Sequence, residues 1–285
     1  MSALVRRASA WSAWLAFGLI MAAHVGLAVL AVIEVVMLGW LTSTWFDLVA
    51  VSVVLASAAA GLTAAAWVAA RAVRGSRTLS RLARSSRAPC PSRIMAAAAG
   101  LGPGPDIEVV RADEPFAVTY GLMRPRILVS TGLAEALSVK GIAAVLAHER
   151  HHVRHRDPLR LLAGRLAAAY GCWLPAAAWL ARNLALRREL SADLAAARRT
   201  SRADLAAALL RLASLPACPA LAAARSAADE RRSLEARVTQ LEGSQPRRTR
   251  PAMGRIVASG GTIALVTAAC MCCAALSQAL PGGLL

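Results

Sequence analysis

Residues 146–152 read Leu-Ala-His-Glu-Arg-His-His, and within them His148, Glu149 and His152 have the types and spacing for metal-assisted hydrolysis. If residues 142–153 form a helix, His148 and His152 stand four positions apart on one face, where both imidazoles reach a single ion. Neutral imidazole is a borderline-soft nitrogen ligand that suits zinc, and the Glu149 carboxylate beside the ion can take a proton from water activated there. The competing reading is a solvated, charged helix face, because Arg150, His151, Arg154, His155 and Arg156 crowd the same turns.

A zinc ion used in catalysis takes three protein ligands and keeps a fourth position open. The candidate for the third is Glu189, in Arg187-Arg-Glu-Leu-Ser-Ala-Asp193. Helical spacing puts Glu189 and Asp193 on one face, so one carboxylate can bind the ion while the other hydrogen-bonds and orients a ligand histidine. An isolated Glu-x-x-x-Asp carries little information; downstream of His148-Glu-x-x-His152 it completes a set for one zinc ion per chain.

The elements that must position these groups sit in an unusual composition. Of the 285 residues, 57% are hydrophobic and only 4% aromatic, which points to a membrane protein rather than one or two soluble domains. The net charge of +17 would suit nucleic acid or an anionic lipid surface. Almost all of it is arginine, Lys140 being the only lysine, in a chain flooded with alanine, as GC-rich coding would produce. No recognition motif or stacking platform accompanies the charge, so no direct nucleic-acid partner is expected. The cysteines show no paired zinc or redox spacing: Cys90, Cys172 and Cys218 are scattered, and Cys270, Cys272 and Cys273 fall in an apolar run.

Residues 1–75 are expected to hold two transmembrane helices, at about 11–38 and 48–70, each long enough to cross a bilayer. The first is too long for a signal-peptide core, and its His24 and Glu34 are ionisable groups at or near membrane depth. Residues 76–106 form a basic cytoplasmic linker. Its Arg77, Arg81, Arg84, Arg87 and Arg93 follow Arg71 and Arg74 and, with Arg6 and Arg7, place both flanks inside. The three-to-four spacing of these arginines also suits a helix lying on anionic lipid.

From residue 107 the character changes. Ile107–Arg111, Phe116–Tyr120 and Arg126–Ser130 read as short strands, with a turn at Gly121–Pro125. Together they predict a small antiparallel β element in a predominantly α protein. Phe116, Ala117, Val118, Thr119 and Tyr120 are expected to form an edge strand that holds an extended peptide substrate by main-chain hydrogen bonds. Ser130, Thr131 or Ser138 caps the helices that follow. Residues 159–186 are apolar but interrupted. If His152 and Glu189 share an ion, this stretch must leave and return on one side, as a hairpin broken around Gly171–Pro175. Helices are expected at Ser201–Leu215, after a Thr200 or Ser201 cap, and at Ala227–Leu241, before a basic linker at 243–255 and a last span at 256–280.

With these residues in place, residues 115–242 resemble the membrane metallopeptidase family of the BlaR/MecR antibiotic-sensing receptors, more distantly the HtpX and CAAX-prenyl-protein peptidases. The resemblance rests on Pro115-Phe-Ala, Arg124-Pro-Arg-Ile-Leu-Val-Ser-Thr-Gly-Leu133, Val145-Leu-Ala-His-Glu-Arg-His-His152 with His155-Arg-Asp157, and Glu189-Leu-Ser-Ala-Asp193. It implies a gluzincin-type zinc peptidase domain over residues 107–242, on the cytoplasmic side of a polytopic protein of the inner membrane. His148, His152 and Glu189 would be ligands, Glu149 the base and Asp193 a supporting residue. Receptors of the family carry an extracellular penicillin-binding sensor after the last span, and the few residues beyond Leu280 leave no place for one, so direct β-lactam sensing is not expected. A protein substrate, with a winged-helix repressor of the BlaI/MecI kind as the guess, follows from the same resemblance. Beyond the zinc itself no residue is assigned to the oxyanion; His155, Arg187 and Arg188 are candidates by proximity alone. The alternative is a non-catalytic membrane signalling or scaffold protein that keeps a zinc-stabilised peptidase fold, against which the retained Glu149 argues.

Overall fold

The structure, a computed structural model, describes residues 18–19, 21–26, 29, 45–215, 227–244, 254, 257–259 and 261. The expected spans at 11–38 and 256–280, Glu34 included, lie largely outside these residues. The described chain is predominantly helical. In order it runs α1 (Trp45–Ser85), α2 (Ser92–Ala99), β1 (Ile107–Val110), β2 (Ala117–Tyr120), β3 (Arg126–Ser130), α3 (Thr131–Ala136), α4 (Val139–His155), α5 (Asp157–Tyr170), α6 (Pro175–Ala197), α7 (Arg202–Ala213) and α8 (Ala227–Leu241).

Contacts divide the chain into two compact units, one of residues 1–69, 164–182 and 250–285 and one of residues 70–163 and 183–249. In the first, His24 is buried, with Nδ1 3.0 Å from the Tyr170 hydroxyl and Nε2 2.9 Å from Ser57 Oγ. A Cβ on Gly61 would sit 2.5 Å from the Tyr170 carbonyl oxygen, so this glycine permits a close approach. The apolar stretch breaks at residues 171–174, between α5 and α6. Among the described residues one helical segment, Val51–Ser85, is long and apolar enough to cross a membrane. The basic stretch read as linker is helical in part: Arg71 to Arg84 continue α1 for four turns, because charge ends a hydrophobic segment without ending a helix, and α2 follows.

In the second unit the strands form one sheet in the order β1-β3-β2. The expected antiparallel element is instead mixed. β2 and β3 pair antiparallel across the Gly121 turn, where φ is +87°, but β1 pairs with β3 in parallel, Ile107 opposite Ile127. The cause is the link between β1 and β2, which crosses the end of β3. Gly132 N–H donates to the Ala112 carbonyl at 2.9 Å, and Phe116, just outside β2, donates its N–H to Ser130 Oγ at 2.9 Å and accepts from Ser130 N–H at 3.0 Å. Residues 86–88 cover the outer edge of β1, whereas among the described residues no strand pairs with the outer edge of β2.

One sheet face carries Ile127, Val129 and Ala117 and packs against Ile142, Val145 and Leu146 of α4. These helix positions have the i, i+3, i+4 spacing of an amphipathic stripe. The other face carries Val110, Tyr120 and Leu128 and packs against Leu79, Leu82 and Ala83 of α1. Ser138 caps α4, accepting from Gly141 N–H at 3.1 Å, and Ser130 and Ser201 cap α3 and α7. Arg150 is buried and donates to the carbonyls of Leu101, Gly102 and Pro103, which ties the loop before β1 to α4.

The crossing at the end of β3 leaves no space for a side chain at Gly132, since an added Cβ would meet the Asp113 carbonyl oxygen in hard overlap. Gly132→Ala is therefore expected to destabilise the protein by about 2 kcal/mol, read as a fall in the thermal midpoint in detergent. An unchanged midpoint would place the link elsewhere.

Candidate metal centre

Helix α4 delivers His148 and His152 to one point. Their Nε2 atoms are 3.0 Å apart, Glu189 Oε2 on α6 lies 3.4 Å from His148 Nε2, and Glu189 Oε1 lies 3.6 Å from His152 Nε2. These three residues form a group that could hold a metal ion. The spacing fits zinc: two donor atoms each about 2.0–2.1 Å from a tetrahedral ion stand about 3.3 Å apart. Both histidines are buried, and Glu189 is partly buried.

Each imidazole is held from behind by a carboxylate. Asp193 Oδ1 is 2.8 Å from His148 Nδ1, and Asp157 Oδ2 is 2.8 Å from His152 Nδ1. A carboxylate on Nδ1 fixes the tautomer that presents Nε2 and raises the basicity of the ligand nitrogen. Asp193 follows from its i+4 relation to Glu189. Asp157 reaches His152 because Arg156 ends α4 in the left-handed conformation (φ 51°, ψ 43°) and α5 begins at the next residue. This conformation costs a non-glycine residue about 1 kcal/mol.

Sequence reasoning missed Arg237 on α8. Its guanidinium grips Asp193 with two bonds of 2.7 Å, Nε to Oδ2 and Nη2 to Oδ1, and its Nη1 lies 3.3 Å from Glu189 Oε2. A planar fork on a carboxylate is the geometry arginine supplies and lysine does not. Asp193 is fully buried, so this pairing offsets its desolvation. The only sequence signal was that Arg237, unlike Arg231 and Arg232, stands beside Leu234 and Val238 in the polar helix 227–241.

Burial opposes the charged form of His148, but the Asp193 and Glu189 carboxylates outweigh it and raise its pKa to about 9. Burial would raise Glu189, yet hydrogen bonding to His148 and the nearby His148, Arg237 and His152 charges hold it well below the usual carboxylate range. Asp157 is likewise held down against burial, by His152 and by Arg188 Nη1 at 3.3 Å. His151 is pushed down to about 4 by burial and by His155 and His152.

Glu149 follows His148 and points toward the sheet, where its Oε2 accepts a 2.7 Å hydrogen bond from the Thr119 hydroxyl on β2. Of the expected edge strand, Ala117, Val118, Thr119 and Tyr120 form β2 and Phe116 does not. The side chains of Phe116 and Tyr120 are buried under α1. Of the three oxyanion candidates, Arg188 is engaged with Asp157, and His155 stacks on His151 with centroids 4.0 Å apart and its Nδ1 2.9 Å from the His151 carbonyl oxygen. Arg187 is exposed.

A divalent ion takes only neutral imidazole, so its binding displaces the His148 proton. Because the folded pKa lies above the ordinary 6.5, that proton's stabilising contribution to the ion-free protein is complete below pH 6.5 and is lost as pH rises through about 9. Apparent zinc affinity is expected to rise across the same window in competition with a chromophoric chelator; a flat profile would show His148 neutral throughout. Arg237→Leu is expected to lower stability by about 3 kcal/mol, because it leaves Asp193 buried without its partner, and thermal unfolding would register the loss.

All of these residues lie inside the match to the family model described as BlaR1 peptidase M56, which covers residues 33–241. Over 126 residues the chain is 38% identical to a protein named Protease HtpX homolog from Acidiphilium cryptum (strain JF-5), a match spanning 42% of this chain and 43% of that protein. The chain thus spans less than half the length of that relative. The family model accounts for most of the sequence, and the chain belongs to the BlaR1 family of M56 peptidases.

Proposed function

We propose that this chain is a zinc-dependent endopeptidase of the cytoplasmic membrane that cuts a protein substrate at the cytoplasmic face. The observation that carries the proposal is the convergence of His148 Nε2 and His152 Nε2, 3.0 Å apart, on the Glu189 carboxylate, whose Oε2 lies 3.4 Å from the first and Oε1 3.6 Å from the second, with Glu149 next to His148 in the chain. A bound zinc ion supplies Lewis acidity that polarises a carbonyl and makes water acidic near neutral pH. His148, His152 and Glu189 would hold it. Glu149 takes the proton of the attacking water and delivers it to the leaving amine as the peptide bond breaks. Asp193 and Asp157 keep both imidazoles aimed, and Arg237 keeps Asp193 in place.

The outer edge of β2 offers main-chain groups to an extended peptide next to Glu149, which favours a protein substrate over a small molecule. The membrane assignment rests on the apolar part of α1 and on the family, and the cytoplasmic side on the arginines from Arg71 to Arg84 that follow it. Two spans before the domain and one after it complete the proposed topology. Within the family resemblance, a winged-helix repressor is the substrate this reading favours.

Glu149→Gln keeps the size and hydrogen bonding of the side chain but cannot accept the proton. Detergent-purified wild type and variant are each expected to carry about one zinc ion per chain, with only the wild type fragmenting a mixture of cytoplasmic proteins. Zinc in both and fragments from neither would favour the scaffold alternative, and turnover by the variant would remove Glu149 from the role of base.

A further inference from the structure

The stripe of α4 that packs on the sheet runs Ile142, Val145, Leu146 and then Glu149, at i, i+3, i+4 and i+7. On the sheet, Ala117 and Thr119 share the face that meets this stripe, because side chains alternate along a strand. The last contact of an otherwise apolar seam is therefore polar on both sides. Thr119 Oγ1 lies 2.7 Å from Glu149 Oε2 and 3.1 Å from the Glu149 carbonyl oxygen. A threonine hydroxyl has one proton to give, and the shorter, charge-assisted bond to the carboxylate is the stronger.

We infer that Thr119 is a positioning residue for Glu149: its hydroxyl anchors Oε2 and fixes the plane of the carboxylate, so that Oε1 is the oxygen presented to water. The inference rests on the proposed role of Glu149 as base and adds what holds that base still. A carboxylate turns easily about its terminal torsion, and no other side-chain hydrogen bond to Glu149 is found among the described residues. Thr119 belongs to the open edge strand, so the residue that orients the base lies in the strand on which an extended substrate would pair. Substrate docking and base orientation then share one residue.

The test uses full-length, zinc-loaded protein and an internally quenched peptide that the wild type cuts and Glu149→Gln does not. Thr119→Val keeps the shape and removes the donor; Thr119→Ser keeps the donor. Thr119→Val is expected to lower kcat by about tenfold to a hundredfold with KM and zinc content little changed, and Thr119→Ser to recover most of the loss. Full kcat in Thr119→Val, a change confined to KM, or a Thr119→Ser variant as slow as Thr119→Val would each overturn the inference.

A second measurement does not depend on turnover. The thermal midpoints of Thr119→Val, Glu149→Ala and the double variant form a cycle, in which the double variant is expected to lose less than the sum of the two single losses. Additive losses would show that Thr119 does not hold Glu149. If no peptide is cut by the wild type, the peptidase reading fails by itself and the cycle still decides the role of Thr119.

Discussion

Two imidazoles aimed at one point face away from solvent and need something behind them to keep them there. In this protein each has a buried carboxylate on its Nδ1, Asp193 behind His148 and Asp157 behind His152, both at 2.8 Å. A buried carboxylate carries a large desolvation cost unless it is paired. The rest of the site reads as an answer to that cost: Arg237 forks onto Asp193, Arg188 reaches Asp157, and the histidines complete both networks. The arrangement accounts for helices α4, α5, α6 and α8 converging where they do, since α4 contributes both histidines, α5 Asp157, α6 Arg188, Glu189 and Asp193, and α8 Arg237.

This charge balance also explains why the site suits a cation. Glu189, Asp193 and Asp157 bring three negative charges, against which Arg237 and Arg188 set two. Held at a pKa of about 9, a protonated His148 makes up the difference in the absence of an ion. A divalent ion would replace that proton and leave both imidazoles neutral, the form in which they ligate. Glu149 stands apart from the network and is tied to the sheet through Thr119 instead, which separates the group proposed to move a proton from the groups proposed to hold the ion.

The sequence made the site legible wherever helical spacing carried the information. His148 and His152, and Glu189 and Asp193, are i, i+4 pairs whose common face needs only a helix. Asp157 was visible but had no assignable role, because its reach to His152 depends on the left-handed turn at Arg156. Arg237 was invisible for a different reason: it lies 44 positions from Asp193, and no local periodicity encodes a contact between separate helices. The strands were recognisable from their β-branched runs, but their directions were not. A parallel β1 requires the link from residue 111 to 116 to cross the end of β3, and that path is fixed by hydrogen bonds to Ser130, Thr131 and Gly132 rather than by the strands themselves. The helix through Arg71 to Arg84 is encoded in the three-to-four spacing of its arginines, whereas their charge speaks to topology.

The central claim is that two histidines and one glutamate of this chain converge on a single ion. Zinc-edge X-ray absorption on the purified, zinc-loaded protein examines that coordination shell directly. The account predicts two imidazoles and oxygen at about 2.0–2.1 Å with no sulfur, and loss of one oxygen contribution together with weakened binding in Glu189→Ala. A shell containing sulfur, a single imidazole, or a spectrum and affinity unchanged by Glu189→Ala would contradict it.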